Sequence, residues 1–328
     1  MGNIGTIFEK MLQKMKIKNT EVENMENMKS MENMESIKRI LEKFKEETAI
    51  PSIVLTIERS ANIAVTDSKF GGVPYLPKDY VYPASSKGQP LKLLAQINFA
   101  QLPKLENFPA GGILQFYVLH DETIGLVDWP TMKQDTFRVI YHKEVLPGEY
   151  LMKDFPTIPY VGGGEHGEEW FPFEGEFLLR GNIADCPITP STYEFNDAFA
   201  AYCEKNNCKS HFELYFADWE NVRRSMTKSE FKEFDRKKRE IEDLVFDTIE
   251  CGEKHRISGY PFFTQEDQRV HCDSLKKYDT LLLQIASEYT ETEENIMWGD
   301  AGVANFFINL EALKNLNFQD VMYNWDCC

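Results

Sequence analysis

Four stretches between residues 52 and 142 carry the apolar, β-branched pattern of strands. They are SIVLTIE (52–58), LKLLAQI (91–97), ILQFYVL (113–119) and FRVIYH (137–142), and Pro and Gly residues separate them. Short apolar runs bounded by such residues are typical of buried strands. The pattern therefore predicts a β-rich globular region from residue 49 onward.

Segment 1–48 has a different pattern, with Met-Glu-Asn repeats and apolar residues at helical spacing. Ile37, Leu41 and Phe44 fall on one helical face, and Pro51 ends the stripe. We predict a partly ordered N-terminal helix, with a partner-binding helix as the alternative because methionine packs adaptably. The opening MGNIGT also fits an N-myristoylation pattern, which we interpret as coincidence.

Two capping boxes predict helices in an insert of about residues 190–252. Ser191 with Glu194 precedes one apolar helical face, and Thr227 with Glu230 precedes a longer one. In such a box the hydroxyl and the carboxylate each accept from an otherwise unpaired backbone N–H. We therefore expect one helix to begin shortly after each serine or threonine.

The segment GVPYL at residues 72–76 has a counterpart in GYPFF at residues 259–263. Downstream, LAQI (94–97) corresponds to LLQI (282–285) and GILQFYV (112–118) to GVANFFI (302–308), at nearly equal intervals. FRVIYH also has a looser counterpart in QDVMYN (319–324). Ordered matches at similar spacing indicate an internal repeat.

These patterns together predict an α+β fold of duplicated β-rich units, with helices before and between them that cover the sheet. The related halves span about residues 68–145 and 256–328 of a domain over residues 49–328. Because each unit is too small to bury both faces of its strands, we expect the halves to pack together or share a sheet.

The repeated segments resemble the YwqG-like family, a mostly bacterial group of proteins of unknown function. The resemblance rests on SKFGGVPYLPKDYVYP, PLKLLAQINFAQLP, GGILQFYV, QDTFRVIY, SGYPFFTQED and MWGDAGVANFFI, which occur in this order. It implies an α+β protein built from related halves inside the cell. It implies no activity, cofactor or catalytic residue.

Charge and cysteine content narrow the classes of partner. The formal charge of −17 disfavours nucleic acid and anionic membranes, and no apolar run is long enough to span a membrane. Seven scattered cysteines and the absence of an apolar leader favour the reducing cytoplasm. We expect a protein or peptide partner.

Two common nucleotide-binding motifs are absent from the sequence. Gly71-Gly72 fits neither a Walker loop nor a dinucleotide-binding turn, so we expect no cofactor. We also expect no metal site. The nearest approach to one is Glu165 and His166 in an acidic, glycine-rich loop, which we interpret as solvated.

Polar residues at unusual positions are the remaining site candidates. Gln96 and Gln284 occupy corresponding strand positions, as do Gln115 and Asn305, and we interpret these amides as scaffold groups bonded internally. Residues found in one half only are better binding candidates. They are Asp135, Arg138, Trp298 and Asp300, although turn and surface roles are favoured for the charged ones.

Two functions remain open at this point. The first is a non-catalytic binding or interaction module that holds a peptide or protein in a groove between the halves. The alternative is a hydrolase that uses carboxylates or a divalent metal, with Asp135, Glu165, His166 or Asp300, in a cleft between the halves.

Overall fold

The computed structural model describes residues 34–126, 132–162, 169–249, 252–289 and 294–328. It contains two compact units. A helical unit contains the described residues up to Glu47 and those from Asn196 to Ile249. A sheet unit contains Thr48–Phe195 and the described residues from Gly252 to Cys328.

In the helical unit, four helices bury an aromatic core. They are α1 (34–48), α2 (Phe195–Lys205), α3 (Trp219–Ser225) and α4 (Lys228–Ile249). The predicted stripe of α1 is confirmed, since Ile37, Leu41 and Phe44 are buried. The Phe44 ring packs 5.0 Å from that of Phe199 and 5.1 Å from that of Tyr202. None of the described helices is long and apolar enough to cross a membrane.

One of the two predicted capping boxes forms. Thr227 N donates to Glu230 Oε2 at 2.9 Å, and Glu230 N donates to Thr227 Oγ1 at 3.4 Å, which confirms the start of α4. The box at Ser191 is wrong, because α2 begins only at Phe195. Ser191 Oγ instead donates to Pro261 O at 3.4 Å.

The sheet unit contains one ten-stranded antiparallel sheet and a small two-stranded one. The ten strands have the order β12-β11-β8-β7-β1-β6-β2-β3-β4-β5. Strands of the large sheet are β1 (Ile50–Glu58), β2 (Lys69–Gly71), β3 (Lys92–Asn98), β4 (Ile113–Val118), β5 (Phe137–His142), β6 (Glu176–Cys186), β7 (Arg256–Ile257), β8 (Thr280–Ala286), β11 (Val303–Ile308) and β12 (Val321–Asp326); β9 (Glu288–Tyr289) and β10 (Glu294–Ile296) form the small sheet, and helix α5 (Leu310–Lys314) joins β11 to β12.

The strand order is the same on either side of the central pair β1 and β6. We call β2–β5 the first wing and the group β7, β8, β11 and β12 the second wing. The predicted strands in both wings are confirmed, and so is the expectation that both segments belong to one sheet. The long central strand β6 was not predicted, because Gly181, Asn182 and Asp185 interrupt its apolar pattern.

Inner side chains from the two wings share one hydrophobic core. The ring of Phe116 on β4 lies 4.8 Å from that of Phe306 on β11, and the ring of Phe137 on β5 lies 5.4 Å from that of Tyr323 on β12. Because all residues of β4 and β11 are buried, their outer faces are covered as well. Loops rich in aromatic residues provide that outer cover.

Candidate functional site

The first wing binds its covering loop through two buried amides. Gln96 Oε1 accepts from Tyr75 N at 2.8 Å, and Gln96 Nε2 donates to the carbonyl oxygens of Val65 and Asp67, both at 2.8 Å. Gln115 Nε2 donates to Tyr75 O at 2.6 Å. Every polar atom of Gln96 is thus bonded within the protein. The GGVPYLP segment is thereby fixed over the sheet, with Tyr75 fully buried.

The second wing repeats these bonds at the corresponding residues. Gln284 Oε1 accepts from Phe262 N at 2.8 Å, and Gln284 Nε2 donates to Lys254 O at 2.8 Å. Asn305 Nδ2 donates to Phe262 O at 2.8 Å. Gln96 and Gln284 therefore hold equivalent loops in separate wings and do not meet in one site.

The wings differ where Gln115 corresponds to the shorter Asn305. Gln115 Oε1 lies 3.0 Å from His142 Nε2, whereas the buried Oδ1 of Asn305 has no hydrogen-bond partner among the described residues. His142 on β5 pairs with the first residue of β4, and Asp326 on β12 pairs with the first residue of β11, so the two residues occupy corresponding positions. Its Oδ2 accepts from Gln265 N at 2.9 Å, while burial raises the pKa of its carboxyl.

Asp135 and Arg138 hold one loop at the edge of the first wing. Asp135 accepts from Ser86 N at 2.6 Å and from Ser86 Oγ at 2.9 Å, and these bonds lower the pKa of the Asp135 carboxyl. Arg138 donates to Gln134 O at 3.2 Å and to Ala84 O at 3.4 Å. Hydrogen bonds to neighbouring loop residues therefore occupy the Asp135 carboxylate and part of the Arg138 guanidinium.

A groove of about 640 Å³ runs along the edge strand β5, between residues 79–84, 138–141 and 316–319. The side chain of Gln134 closes the strand edge beside it. Gln134 Oε1 accepts from Val139 N at 2.7 Å, and Gln134 Nε2 donates to Phe318 O at 2.7 Å. This bridge satisfies the outward N–H of Val139 that an added strand would need.

Trp298 and Asp300 lie in the turn before β11. Trp298 is fully buried and its ring packs 5.8 Å from that of Trp325. Asp300 is exposed, and its backbone oxygen accepts from Cys328 N at 3.2 Å. The structure does not bring these residues together with Asp135 or Arg138 in one described cavity.

Glu165 and His166 lie outside the described residues. Across the described parts of the chain, no group of three or more His, Cys, Asp or Glu residues is placed to hold a metal ion.

A cleft of about 840 Å³ lies elsewhere in the sheet unit and contains His120. We call it the His120 cleft. Its lining is Arg59, Gly71, Gly72, Lys92, Leu93, His120, Glu169, Trp170, Phe171, Pro172, Phe173, Glu174, Gly175 and Asn295. The first wing, the segment before β6, the end of β1 and strand β10 all contribute. It is thus assembled from residues far apart in the chain.

His120 is 4% exposed, and no described residue meets the distance and angle of a hydrogen bond at either ring nitrogen, although the backbone of Trp170 lies near enough to act on the ring. Glu169 Oε1 is 3.9 Å from Nε2. The ring packs edge-on against those of Tyr160 and Phe171, at 5.3 and 5.5 Å. Burial and the nearby Lys92 lower the pKa of His120, and Glu169, the backbone of Trp170 and Asp121 oppose them only in part. The imidazole is therefore neutral at pH 7, with one donor and one acceptor unused.

Lys92 on β3 provides a partly desolvated ammonium group in the same cleft. Its Nζ lies 3.8 Å from the ring centroid of Phe171, a cation–π contact. Burial lowers the pKa of Lys92, and Glu169 and Glu174 oppose that shift. The carboxylates are exposed, whereas Lys92 is half-buried and His120 fully buried. Donors therefore lie deeper than acids in this cleft.

Gly71 and Gly72 form part of the cleft wall, with φ angles of +66° and +71°. A Cβ on Gly71 would lie 2.5 Å from Gly175 O, so the two backbone segments touch at this point. A side chain is excluded by both conformation and space. The glycine pair of the GGVPYLP segment thus shapes the cleft, while Tyr75 anchors the loop.

The sequence did not indicate Arg59, Lys92 or His120 as site residues. Each is a single basic residue in an unremarkable strand or loop context, and only the fold brings them together. The one available signal was the Gly71-Gly72 pair.

Comparison with known proteins matches this chain to a family model. No curated protein matches this chain. The family model described as a domain of unknown function, DUF1963, matches residues 68–327, which include both wings and most residues of the His120 cleft. The chain belongs to the DUF1963 family.

Proposed function

We propose that this chain is a binding module and that the His120 cleft is its ligand site. The proposal rests on the unused hydrogen-bonding capacity of one buried side chain. A volume of about 840 Å³ falls within the range of roughly 300–1,000 Å³ found for small-molecule sites. The cleft combines three aromatic residues with six polar or charged ones, so it is more polar than most small-molecule sites and suits a ligand with polar groups.

The main support for the proposal is a difference in hydrogen bonding between the ring nitrogens of His120 and those of the other described buried histidines. His142 bonds Gln115, and His255 accepts from Ala286 N at 3.0 Å through Nδ1 and lies 3.1 Å from Glu288 Oε2 through Nε2. Only His120, among the buried histidines that the structure describes, has two unbonded ring nitrogens. Leaving a buried polar group unbonded costs about 1–3 kcal/mol. A ligand with hydrogen-bonding groups removes this cost.

Sequence and strand order together support proposals about the origin, the location and the partner of this protein. The equal strand order of the wings and the matching bonds of Gln96 and Gln284 support an origin by internal duplication. The DUF1963 match is compatible with the resemblance to YwqG-like proteins. We propose that the module works in the cytoplasm with a peptide or protein partner rather than nucleic acid or membrane, in line with its charge of −17. That the helices cover the sheet stays a prediction.

A hydrolase is the second candidate, and one contact favours it. The 3.9 Å approach of Glu169 to His120 Nε2 would let the carboxylate stabilise an imidazolium formed during proton abstraction. The cleft then holds a base, His120, and an ammonium group, Lys92, beside a bound ligand. Turnover of the ligand that is lost in His120→Gln and reduced in Glu169→Gln would establish this second function.

A fragment screen read through the imidazole signals tests the binding proposal. The full chain, with isotope-labelled histidine, is titrated by NMR with a fragment set that spans acids, amines and neutral molecules. We expect some fragments to shift the His120 signals while the signals of His142 and His255 stay in place. His120→Gln should abolish their binding. A set in which no fragment shifts the His120 signals would overturn the proposal.

A further inference from the structure

We infer that the ligand of the His120 cleft is a monoanionic carboxylate with an apolar substituent. This inference rests on the proposed function and names the chemical class of its ligand. Three features of the cleft carry it: unused donors in its depth, acids at its rim, and an aromatic wall.

The donors are Lys92 and His120 in the depth of the cleft and the exposed Arg59 at its rim. Among the described residues, no oxygen lies within hydrogen-bond or ion-pair distance of Lys92 Nζ, whose near neighbour is the Phe171 ring. His120 has a free N–H in its neutral form. Arg59 donates to Asn295 Oδ1 at 3.2 Å and lies over the Phe177 ring, which leaves further N–H groups for a ligand. The cleft therefore offers a compact ammonium group, from Lys92, and a planar guanidinium group that can donate two parallel hydrogen bonds, from Arg59.

The rim sets the charge of the ligand. Glu169 and Glu174 are exposed residues of the cleft and act electrostatically on Lys92. A ligand anion therefore meets one desolvated ammonium and one guanidinium in the presence of two carboxylates. In the depth, a single negative charge balances the ammonium of Lys92. The second charge of a dianion such as a phosphate monoester would lie near both acids, whose charges already exceed that of the exposed Arg59. An amine is excluded from the depth by Lys92.

The aromatic wall sets the rest of the ligand. Trp170, Phe171 and Phe173 line the cleft, and the rings of Phe171 and Phe173 are 5.2 Å apart. Apolar surface of a ligand gains by contact with such a wall. A carboxylic acid that lacks an apolar group would leave the aromatic wall exposed to water.

Calorimetric titration with a matched set of probes tests the inference. The probes are phenylacetate, phenylacetamide, phenethylamine and phenyl phosphate, which share the ring and differ in charge. We expect phenylacetate to bind at least about tenfold more tightly than each of the others, since a charge-assisted hydrogen bond is about twice as strong as a neutral one and the second charge of the phosphate meets the acids at the rim. Stronger binding of the amide, amine or phosphate would overturn the carboxylate assignment and leave the binding proposal intact.

Variants of Lys92 provide the second readout. Lys92→Met keeps the apolar stem over Phe171, so we expect an unchanged melting temperature and a loss of about tenfold or more in phenylacetate affinity. Lys92→Arg should retain most of the affinity, and Lys104→Met, an exposed control, all of it. Equal phenylacetate affinity in wild type and Lys92→Met would contradict the inference.

The carboxylate has two possible sources, a free organic acid or the C-terminus of a peptide. A short peptide ending in phenylalanine is therefore titrated with a free and with an amidated C-terminus. Binding of only the free form assigns a peptide terminus, and binding of phenylacetate without either peptide assigns a free acid. If neither carboxylate binds at millimolar concentration, the inference is wrong, while the fragment screen still decides whether the cleft binds a ligand of another class.

Discussion

The side-chain nitrogen of Gln115 donates to the side-chain oxygen of Gln96 at 2.8 Å, and both amides bond the backbone of Tyr75. This buried network joins strands β3 and β4 to the loop that begins at Gly71-Gly72. The same loop forms a wall of the His120 cleft. The amides therefore stabilise the fold and also fix the geometry of the candidate site.

Replacement of Gln96 by leucine should destabilise the chain by about 2–4 kcal/mol, because the buried Tyr75 N and the partly buried carbonyls of Val65 and Asp67 lose their partner. Gln284→Leu should cost a similar amount through Phe262 N and Lys254 O. Urea denaturation measures both. Gln319→Leu, an exposed control, should change stability by less than about 0.5 kcal/mol. An unaltered urea midpoint in Gln96→Leu would show that the network is not structural.

Asp326→Asn should stabilise the protein at pH 7. Burial raises the pKa of the Asp326 carboxyl above its unfolded value near 3.8, so its ionised form weakens the fold. The contribution of Asp326 to stability is present at low pH and is lost as the pH rises through the folded pKa. Thermal melts should therefore show a gain from the amide at neutral pH that disappears near pH 3. Asp300→Asn, which changes an exposed carboxyl, should show no such trend. A lower melting temperature for Asp326→Asn at pH 7 would contradict this account.

His142 should make stability fall as the solution is acidified. Burial lowers the pKa of His142 to about 4, below the value of 6.5 in the unfolded chain, so the unfolded state binds the proton first. The stabilising contribution is complete above pH 6.5 and is lost progressively towards pH 4. In His142→Gln this part of the pH dependence should vanish, whereas it should persist in the exposed variant His271→Gln. Parallel stability profiles of wild type and His142→Gln between these pH values would refute the assignment.

Most strands of both wings could be predicted, because short apolar runs and Gly-Pro punctuation report local structure directly. The internal partners of Gln96 and Gln284 also followed from their positions, since an amide in a buried strand needs them. Strand β6 could not be predicted, since polar residues and Gly181 interrupt the part of it that pairs with β1.

The candidate site could not be predicted because it depends on proximity in space. His120 follows β4, Lys92 begins β3 and Arg59 follows β1, so no local spacing links them. Asp135 and Arg138 stood out in the sequence, yet their polar atoms bond the loop at residues 84–86. A chain with 53 acidic residues offers many such pairs, and only burial identifies the unusual groups.

The most direct test of the central claim is a crystal structure of the full chain with the tightest-binding fragment of the NMR screen. The account predicts ligand density in the cleft lined by Lys92 and Phe171, with a ligand atom within hydrogen-bond distance of a His120 ring nitrogen. Density at another place on the protein, with both His120 nitrogens bonded to protein groups, would contradict it.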